Sequence, residues 1–226
     1  MSAGPSGRPP AVVDRSLLGG DTLAAARSLL GAHLVRDGLG PDGTTVVGRI
    51  VEVEAYIGRD DRASHARMGP TTRNLVMFGP PGFAYVYRVY GMHTCLNVVT
   101  GTDGYPAALL VRAVEPLTGL DAVRAAQASS SRRPAGTSPA RPVPDHRLAA
   151  GPGLVGSALG IDRSHNGLDL CDARSPLRLE AAPEESAGLE IMAGPRVGIS
   201  HAGEPWVSVP WRLALAGSPA LSRPVR

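Results

Sequence analysis

The sequence predicts a single domain of the mixed α/β class, and two observations support this. Several runs alternate between apolar and polar residues with the period of two typical of strands, the longest being VVGRIVEVEAY at residues 46–56. Short segments with helical spacing and capping residues lie between such runs. The 226 residues, 43% of them hydrophobic, can bury a sizeable core. We therefore expect one domain over residues 14–226, preceded by a mobile leader over residues 1–13 that is rich in Gly, Pro and Ala.

The first half of the chain predicts one helix and two hairpins. Asp21 or Thr22 can cap a helix that runs to about Leu30. AHLVRDG and TTVVGRIVEVEAY, joined by the turn residues GLGPDG, predict a hairpin. A polar loop rich in Gly and Pro, IGRDDRASHARMGPTTRNLVMFGPPG, leads to the second hairpin, FAYVYRVY and CLNVV. Tyr90 and Met92 would stand at its tip.

The second half predicts the remaining strands and two more helices. YPAALLVRAVEP is a mostly apolar strand, and PLTGLDAVRAAQA a capped helix. Residues 129–147 hold four Arg and four Pro and predict a flexible loop of low complexity. GPGLVGSALGI favours a short helix and LDLCDARSPLRLE an edge strand, while RVGISHAGE and WRLALAGSP are expected to close the sheet.

Composition excludes several classes of protein. No run reaches the 18 or so apolar residues of a membrane span, and no secretory signal is present, so we expect a cytoplasmic protein that makes no membrane contact. Two cysteines and scattered histidines lack the spacing of a metal site; we expect no metal, no cofactor and no disulfide. The net charge of +3 permits polyanion binding. All 23 basic residues are Arg, so no lysine side chain can form a Schiff base.

Two carboxylates and a phenol share one face of the longest strand. Alternation puts Ile50, Glu52, Glu54 and Tyr56 on that face, and isolated buried carboxylates are costly. The face must therefore meet water, a cationic partner or a substrate. Arg112, inside the apolar run LLVRAV, is the natural partner of Glu54 or Glu52 because a charge in such a run is usually paired. A solvated edge strand paired with Arg across the sheet is the alternative.

Seven blocks in one order, from about Leu29 to Pro219, resemble the alkyladenine (3-methyladenine) DNA glycosylase family. They read GRIVEVEAYIG, SHARMG, TTRN, MFGPPGFAYVYRVYGMHTCLNVV, LLVRAVEPLTGL, GPGLVGSALGI and RVGISHAGE. The resemblance implies a curved antiparallel sheet with flanking helices and a protruding hairpin, without metal or organic cofactor. It also implies base excision repair: the removal of alkylated purines, with hypoxanthine as a further candidate, from double-stranded DNA by a monomeric enzyme associated with the nucleoid when on DNA.

The resemblance also implies a role for individual residues. Glu54 matches the general base that activates water, and Arg112 and the backbone carbonyl of Val197 match the groups that hold this water. Asn97 matches the gate of the base pocket. The pocket walls would be Tyr56, His65 and Tyr87, and the DNA contacts Tyr90, Met92, Met77, Thr71 and Arg73.

Two other functions stay open at this point. A non-enzymatic module that binds DNA lesions with the same fold would keep Tyr90, which matches the residue that enters the duplex, but could lose Glu54 or Arg112. A hydrolase of free nucleosides would need the pocket but not the Tyr90 wedge. Comparing a lesion in duplex DNA with the same free nucleoside separates the three functions. No lysine is present to form an imine with DNA, so we also expect a monofunctional glycosylase that leaves an abasic site uncut.

Overall fold

The structure is a computed structural model, and it describes residues 11–89, 91–130, 143–186 and 188–225. Tyr90, most of the predicted leader and residues 131–142 of the predicted flexible loop lie outside this part of the chain. The described residues form a single mixed α/β domain, as the sequence predicts. Its helices are α1 (Thr22–Leu29), α2 (Leu120–Ser130) and α3 (Pro152–Ala158). Its strands are β1 (His33–Leu39), β2 (Thr44–Ile57), β3 (Ala84–Val89), β4 (His93–Val99), β5 (Ala107–Thr118), β6 (Leu177–Glu180), β7 (Ile191–Gly194) and β8 (Arg212–Leu215).

All eight strands belong to one antiparallel sheet with the order β3-β4-β5-β2-β1-β6. The long strand β2 lies at its centre. One edge of β2 pairs with β5 along most of its length. The other edge is shared, because Val46 to Arg49 pair with β1 whereas Glu52 to Glu54 pair with β8. β8 also pairs with β7. The carboxylate-bearing half of β2 therefore lies between β5 and β8.

The pairing of β2 with β5 is irregular where the charged residues occur. Ile50 faces Val114 and Glu52 faces Ala113, so the register shifts by one residue between them. The register then returns, because Val53 faces Val111 and Arg112 on β5 is left between the two pairs. Such bulges re-aim side chains. The predicted alternation is wrong at Ile50, which belongs to the apolar core together with Val51 and Val53.

The helices form for the reasons that the sequence suggests. Asp21 caps α1, since its side chain accepts a hydrogen bond of 2.7 Å from the backbone N–H of Ala24. α3 lies against β4 at very short range, because a Cβ atom on Gly156 would come within 2.2 Å of the carbonyl oxygen of Thr94. Only glycine permits this approach. β4, the strand that carries Asn97, is thereby backed by a helix.

Two local predictions are wrong. RVGISHAGE forms no strand; it lies in the loop between β7 and β8 and contains one short 3-10 turn, Ser200–Ala202. The leader predicted to end at residue 13 is ordered at its end, because Val13 is 4% exposed and its N–H donates to the Leu179 carbonyl at 3.0 Å. Val12 forms a bridge with Glu180. The chain therefore joins the edge of the sheet before the first helix.

No helix among the described residues is long and apolar enough to cross a membrane.

Candidate active site

Glu54 lies at the centre of the sheet with no solvent-accessible surface. Its Oε1 atom accepts a hydrogen bond of 2.6 Å from the backbone N–H of Val197. Its Oε2 atom accepts one of 3.0 Å from the Tyr56 hydroxyl and forms an ion pair of 3.2 Å with Arg112 Nη1. Three donors thus fix both oxygens of a fully buried carboxylate.

Arg112 reaches both predicted carboxylates at once. Its Nε donates to Glu52 Oε1 at 2.9 Å while its Nη1 faces Glu54 Oε2. Of the two partners that the sequence left open, Arg112 therefore has both. It lies on β5 at the register shift, between the partners of Glu52 and Val53. The bulge accounts for how one guanidinium bridges two residues of the neighbouring strand.

Glu52 makes only structural contacts. Besides Arg112, its Oε1 accepts from Arg212 Nε at 2.9 Å and from the Ser222 hydroxyl at 2.7 Å. Its Oε2 accepts from the Ser222 backbone N–H at 2.6 Å. With four hydrogen bonds and no exposed surface, Glu52 has no room for a substrate. The two carboxylates two residues apart therefore have different environments.

A second buried ion pair, which the sequence analysis missed, holds the loop that carries Val197. Arg196 donates to the two oxygens of Asp61 at 2.6 and 2.9 Å, and neither side chain is exposed. The guanidinium also lies 4.8 Å from the ring centroid of Tyr56 and 5.0 Å from that of Trp211, within cation–π range. The sequence offered one signal for this ion pair: Arg196 precedes the apolar residues Val-Gly-Ile. A charge next to apolar residues had already indicated a partner for Arg112.

A cavity of about 500 Å³ opens in front of Glu54, a size typical of small-molecule sites. Glu54 itself does not line it, but its three partners Tyr56, Arg112 and Val197 do. The remaining walls mix aromatic and apolar side chains with the arginines Arg73 and Arg88. Further lining residues include His65, Met77, Tyr85, Tyr87, Cys95 and Asn97.

The aromatic rings of the cavity are ordered by contacts with one another. The ring centroids of Tyr85 and Tyr87 are 5.4 Å apart, and His65 stands edge-on to Tyr87 at 4.5 Å, as aromatic pairs prefer. His65 Nδ1 lies 3.0 Å from the Tyr85 hydroxyl. Tyr85 and Tyr87 face the same way along β3, as the alternation predicts. The result is a wall of π-faces around the cavity.

Burial keeps the phenols of this wall neutral. It raises the pKa of Tyr85 to about 12. It also raises the pKa of Tyr56 well above its usual value of 10, and the Glu54 carboxylate raises it further. His65 is exposed, yet desolvation by the surrounding protein lowers the pKa of its imidazole, and the Arg73 charge lowers it again. At neutral pH the wall consists of uncharged rings.

Asn97 and Met77 are both buried beside the cavity. Asn97 donates through its side-chain amide to the Tyr85 carbonyl at 3.0 Å, which fixes the orientation of the amide. Met77 was expected among the DNA contacts, but it is 2% exposed and packs with Tyr85 and Val99. It belongs to the floor of the cavity because a short 3-10 turn, Leu75–Phe78, folds it inward.

The loop between β2 and β3 forms the rim. Asn74, buried beneath it, accepts from the Thr71 hydroxyl at 2.9 Å and donates to the His65 carbonyl at 2.8 Å. Asn74 thus ties the predicted DNA contact Thr71 to the pocket wall. The loop also carries exposed arginines that form no ion pair among the described residues: Arg59, Arg62, Arg67 and Arg73. This side of the cavity is cationic.

Met92 stands at the tip of the β3–β4 hairpin, 72% exposed. Its N–H donates to the Val89 carbonyl at 3.1 Å, and Gly91 adopts a φ of +68°, which closes a tight turn. Tyr90, the predicted wedge, lies outside the described residues. A large apolar side chain is therefore presented to solvent within the hairpin that also bears Tyr85 and Tyr87.

Comparison with known proteins identifies this arrangement. The model of the family described as "Methylpurine-DNA glycosylase (MPG)" matches residues 16–219. The chain belongs to this family. Members of the methylpurine-DNA glycosylase family are DNA-repair enzymes that hydrolyse N-glycosyl bonds, and the resemblance inferred from the sequence blocks is confirmed.

Individual relatives agree with the methylpurine-DNA glycosylase assignment. A protein of Methanocella arvoryzae is 45% identical over 212 residues, which cover 94% of this chain and 96% of the relative. One of Anaeromyxobacter dehalogenans is 47% identical over 206 residues, covering 90% and 82%. One of Nocardia farcinica is 47% identical over 217 residues, covering 94% and 91%. Each bears the name "Putative 3-methyladenine DNA glycosylase".

In this member of the methylpurine-DNA glycosylase family, most of the predicted site residues meet at one cavity. Glu54, Arg112 and Tyr56 are in direct contact. The N–H of Val197 donates to Glu54, and the contact of its carbonyl with the attacking water stays a prediction. The sequence analysis did not find Asp61, Arg196, Arg212 or Ser222.

Proposed function

We propose that the protein excises alkylated purines of the 3-methyladenine type from duplex DNA and leaves an uncut abasic site. One observation carries the proposal: a fully buried carboxylate, Glu54, lies directly behind an aromatic cavity, and its three hydrogen-bonding partners line that cavity. A pocket that only bound a lesion would not need a desolvated, oriented carboxylate at its back, because burying one is costly.

The cavity suits a flipped base. The glycosidic bond is inaccessible inside a duplex, so the nucleotide must be extruded. Neutral phenol and imidazole rings can sandwich a purine, and a cationic alkylpurine gains further from cation–π attraction. We assign Tyr90 and Met92 to the gap that the nucleotide leaves, since wedges at a hairpin tip can occupy an unstacked step. The arginine-bearing rim would then contact phosphates, which position a protein on a duplex.

The chemistry follows from the geometry around Glu54. A carboxylate has about four lone-pair sites; Oε2 already accepts from two donors and Oε1 from one. A water can occupy the remaining site on Oε1, next to Val197. Its oxygen forms a bond to the sugar carbon as the carbon–nitrogen bond breaks, and its proton passes to Glu54. The purine departs with the bonding electrons, and a cationic purine thereby becomes neutral without a proton donor.

The other residues of the cluster stabilise and orient this carboxylate. Arg112 and Tyr56 hold Oε2 in place, so that Oε1 points to the water. The negative charge of Glu54 also stabilises the oxocarbenium character that develops at the sugar, as in glycoside hydrolysis. A neutral base such as hypoxanthine would require protonation in addition. We therefore expect faster excision of cationic lesions than of hypoxanthine.

The test compares three substrates with the purified protein. Excision is measured on a 3-methyladenine lesion in duplex DNA, on hypoxanthine in the same duplex and on the free nucleosides. We expect release of the base from the duplex lesion and slow or no release from nucleosides. Tight duplex binding without release would instead indicate a lesion-binding module, and preferred hydrolysis of nucleosides a nucleoside hydrolase.

We expect no covalent adduct between protein and DNA in the presence of borohydride. The imine of lyase-type glycosylases requires an amine nucleophile, and all 23 basic side chains of this protein are arginines. The product should be an intact strand with an abasic site, seen on a denaturing gel only after alkali. A trapped adduct that maps to a residue other than the α-amine would contradict this.

Acidification should slow the excision of cationic lesions, because His65 gains a proton. The pKa of His65 lies below its ordinary value of 6.5, so the ring is neutral at pH 7 and gains a proton only as the pH falls below 6.5. A protonated ring beside a cationic base is repulsive. His65→Phe keeps the aromatic wall but cannot titrate. The ratio of the single-turnover excision rate of His65→Phe to that of the unchanged protein should therefore rise between pH 7 and pH 5.

This ratio cancels the titration of other groups. A constant ratio across the range would remove His65 from the charge balance of the pocket. As a control, Tyr85→Phe removes the hydrogen-bonding partner of His65 without removing the titrating ring. The excision rate of that variant should therefore still fall between pH 7 and pH 5.

A further inference from the structure

The last described residues of the chain reach the back of the active site. Residues 221–224, here called the C-terminal clasp, extend along the Glu52 side of the sheet, beyond the region 16–219 that matches the family model. Ser222 donates to Glu52 twice, through its N–H at 2.6 Å and its hydroxyl at 2.7 Å. Arg147 Nη1 donates to the Leu221 carbonyl at 2.7 Å. Hydrogen bonds from both residues therefore hold the clasp in place.

The Ser222 hydroxyl also contacts Arg112. It accepts from Arg112 Nη2 at 3.2 Å while it donates to Glu52, which uses a hydroxyl in both of its capacities. Each nitrogen of the Arg112 guanidinium consequently has one partner: Glu52 for Nε, Glu54 for Nη1 and Ser222 for Nη2. Two of these three partners are fixed by the clasp or belong to it.

The clasp also supplies hydrogen-bond acceptors to a second guanidinium behind the cavity. Two guanidinium groups, Arg112 and Arg212, face two carboxylates, Glu52 and Glu54. Arg212 Nη2 meets no carboxylate in the described part of the chain and donates to the backbone carbonyls of Arg223 and Pro224. Without these carbonyls a buried guanidinium nitrogen would lose its acceptors, which is costly. Arg212 would then compete with Arg112 for Glu52.

We propose that Ser222 is a positioning residue for excision: through the clasp it fixes the Arg112 guanidinium at the distance from Glu54 that the reaction uses. The inference rests on the proposed function, in which Glu54 activates water. Ser222 acts through Arg112, since its own side chain neither lines the cavity nor touches Glu54. Loss of the clasp should leave base binding intact and slow the chemical step.

The test uses the full chain with Ser222→Ala and Ser222→Thr. We expect the single-turnover excision rate of Ser222→Ala to fall about tenfold, within the roughly hundredfold effect of misplacing a reacting group by an ångström. The dissociation constant for lesion-containing duplex should stay unchanged, and Ser222→Thr, which keeps the hydroxyl, should recover most of the rate. Ser208→Ala is the matched control, because it removes a serine–carboxylate contact with Glu204 at an exposed loop.

A second readout does not depend on excision. In NMR spectra of ¹⁵N-arginine protein, the Arg112 Nε–H, assigned with Arg112→Lys, should exchange with solvent faster in Ser222→Ala than in the unchanged protein. If this proton exchanges faster in Ser222→Ala but the unchanged protein excises no base, the proposed function is refuted. The contact of the clasp with Arg112 would still be supported. An excision rate of Ser222→Ala equal to that of the unchanged protein would overturn the positioning role. So would an equal loss of excision rate in Ser222→Thr and Ser222→Ala. A lower melting temperature at full excision rate would make the clasp merely structural.

Discussion

Replacing Glu54 with Gln is expected to abolish excision while leaving the binding of lesion-containing duplex within about twofold of the unchanged protein. An amide cannot accept the proton of the attacking water, and positioned general bases contribute about 100- to 10,000-fold. In either orientation the amide also places its NH₂ group against a donor: the Val197 N–H at the Oε1 position, or the Tyr56 hydroxyl and Arg112 Nη1, which lie 3.0 and 3.2 Å from Oε2. The measurement is a single-turnover time course together with fluorescence anisotropy on the same duplex.

Glu115→Gln is the matched control for this result. Glu115 lies on the neighbouring strand β5, pairs with Arg49 and is partly exposed. The same chemical change there should leave both excision and binding unaltered. Excision by Glu54→Gln at the rate of Glu115→Gln would remove Glu54 from the mechanism, and a loss of binding equal to the loss of excision would point to a damaged pocket.

Replacing Glu52 with Ala is expected to lower the free energy of unfolding by about 3–5 kcal/mol, the usual effect of removing one partner of a buried ion pair. Arg112 and Arg212 would both lose the carboxylate oxygen that they share, and each is at most 7% exposed at its side chain. Urea unfolding at neutral pH measures the change. We therefore expect Glu52 to stabilise the fold, whereas Glu54 acts in the reaction.

Glu115→Ala again supplies the comparison. Its ion pair with Arg49 is 21–33% exposed at the side chains, and such pairs contribute about 0–1 kcal/mol. A loss for Glu52→Ala no larger than for Glu115→Ala would mean that the four hydrogen bonds to Glu52 do not stabilise the fold.

The sequence was most informative where chemistry and local pattern coincide. Alternation along β2 placed Glu54 beside Tyr56, and its position in an apolar run identified Arg112 as the partner of Glu54 or Glu52. These inferences need only neighbouring residues and one strand pairing. The role of Glu52 was left open, because its environment depends on Ser222, 170 residues further along the chain.

Other features depend on backbone irregularity, which composition and periodicity do not encode. The register shift opposite Arg112 could not be read from alternating residues, and it moved Ile50 into the core. The loop between β7 and β8 looked like a strand because RVGIS alternates. Its true role, to bring the Val197 N–H to Glu54, requires the ion pair of Arg196 with Asp61, which lie 135 residues apart.

The C-terminal contacts have a consequence for how the enzyme is made. During translation the N-terminal residues leave the ribosome first, and domains tend to fold in that order. A nascent chain that stops before Arg196 already contains Glu52, Glu54 and Asp61, and Arg112 and Tyr56 with them, but it lacks the other partners of these carboxylates, and burying a carboxylate with part of its partners missing is unfavourable. These carboxylates can therefore reach their full set of partners only after residues 196–222 have folded onto the sheet. A chain truncated before Arg196 is therefore expected to fail to assemble the site.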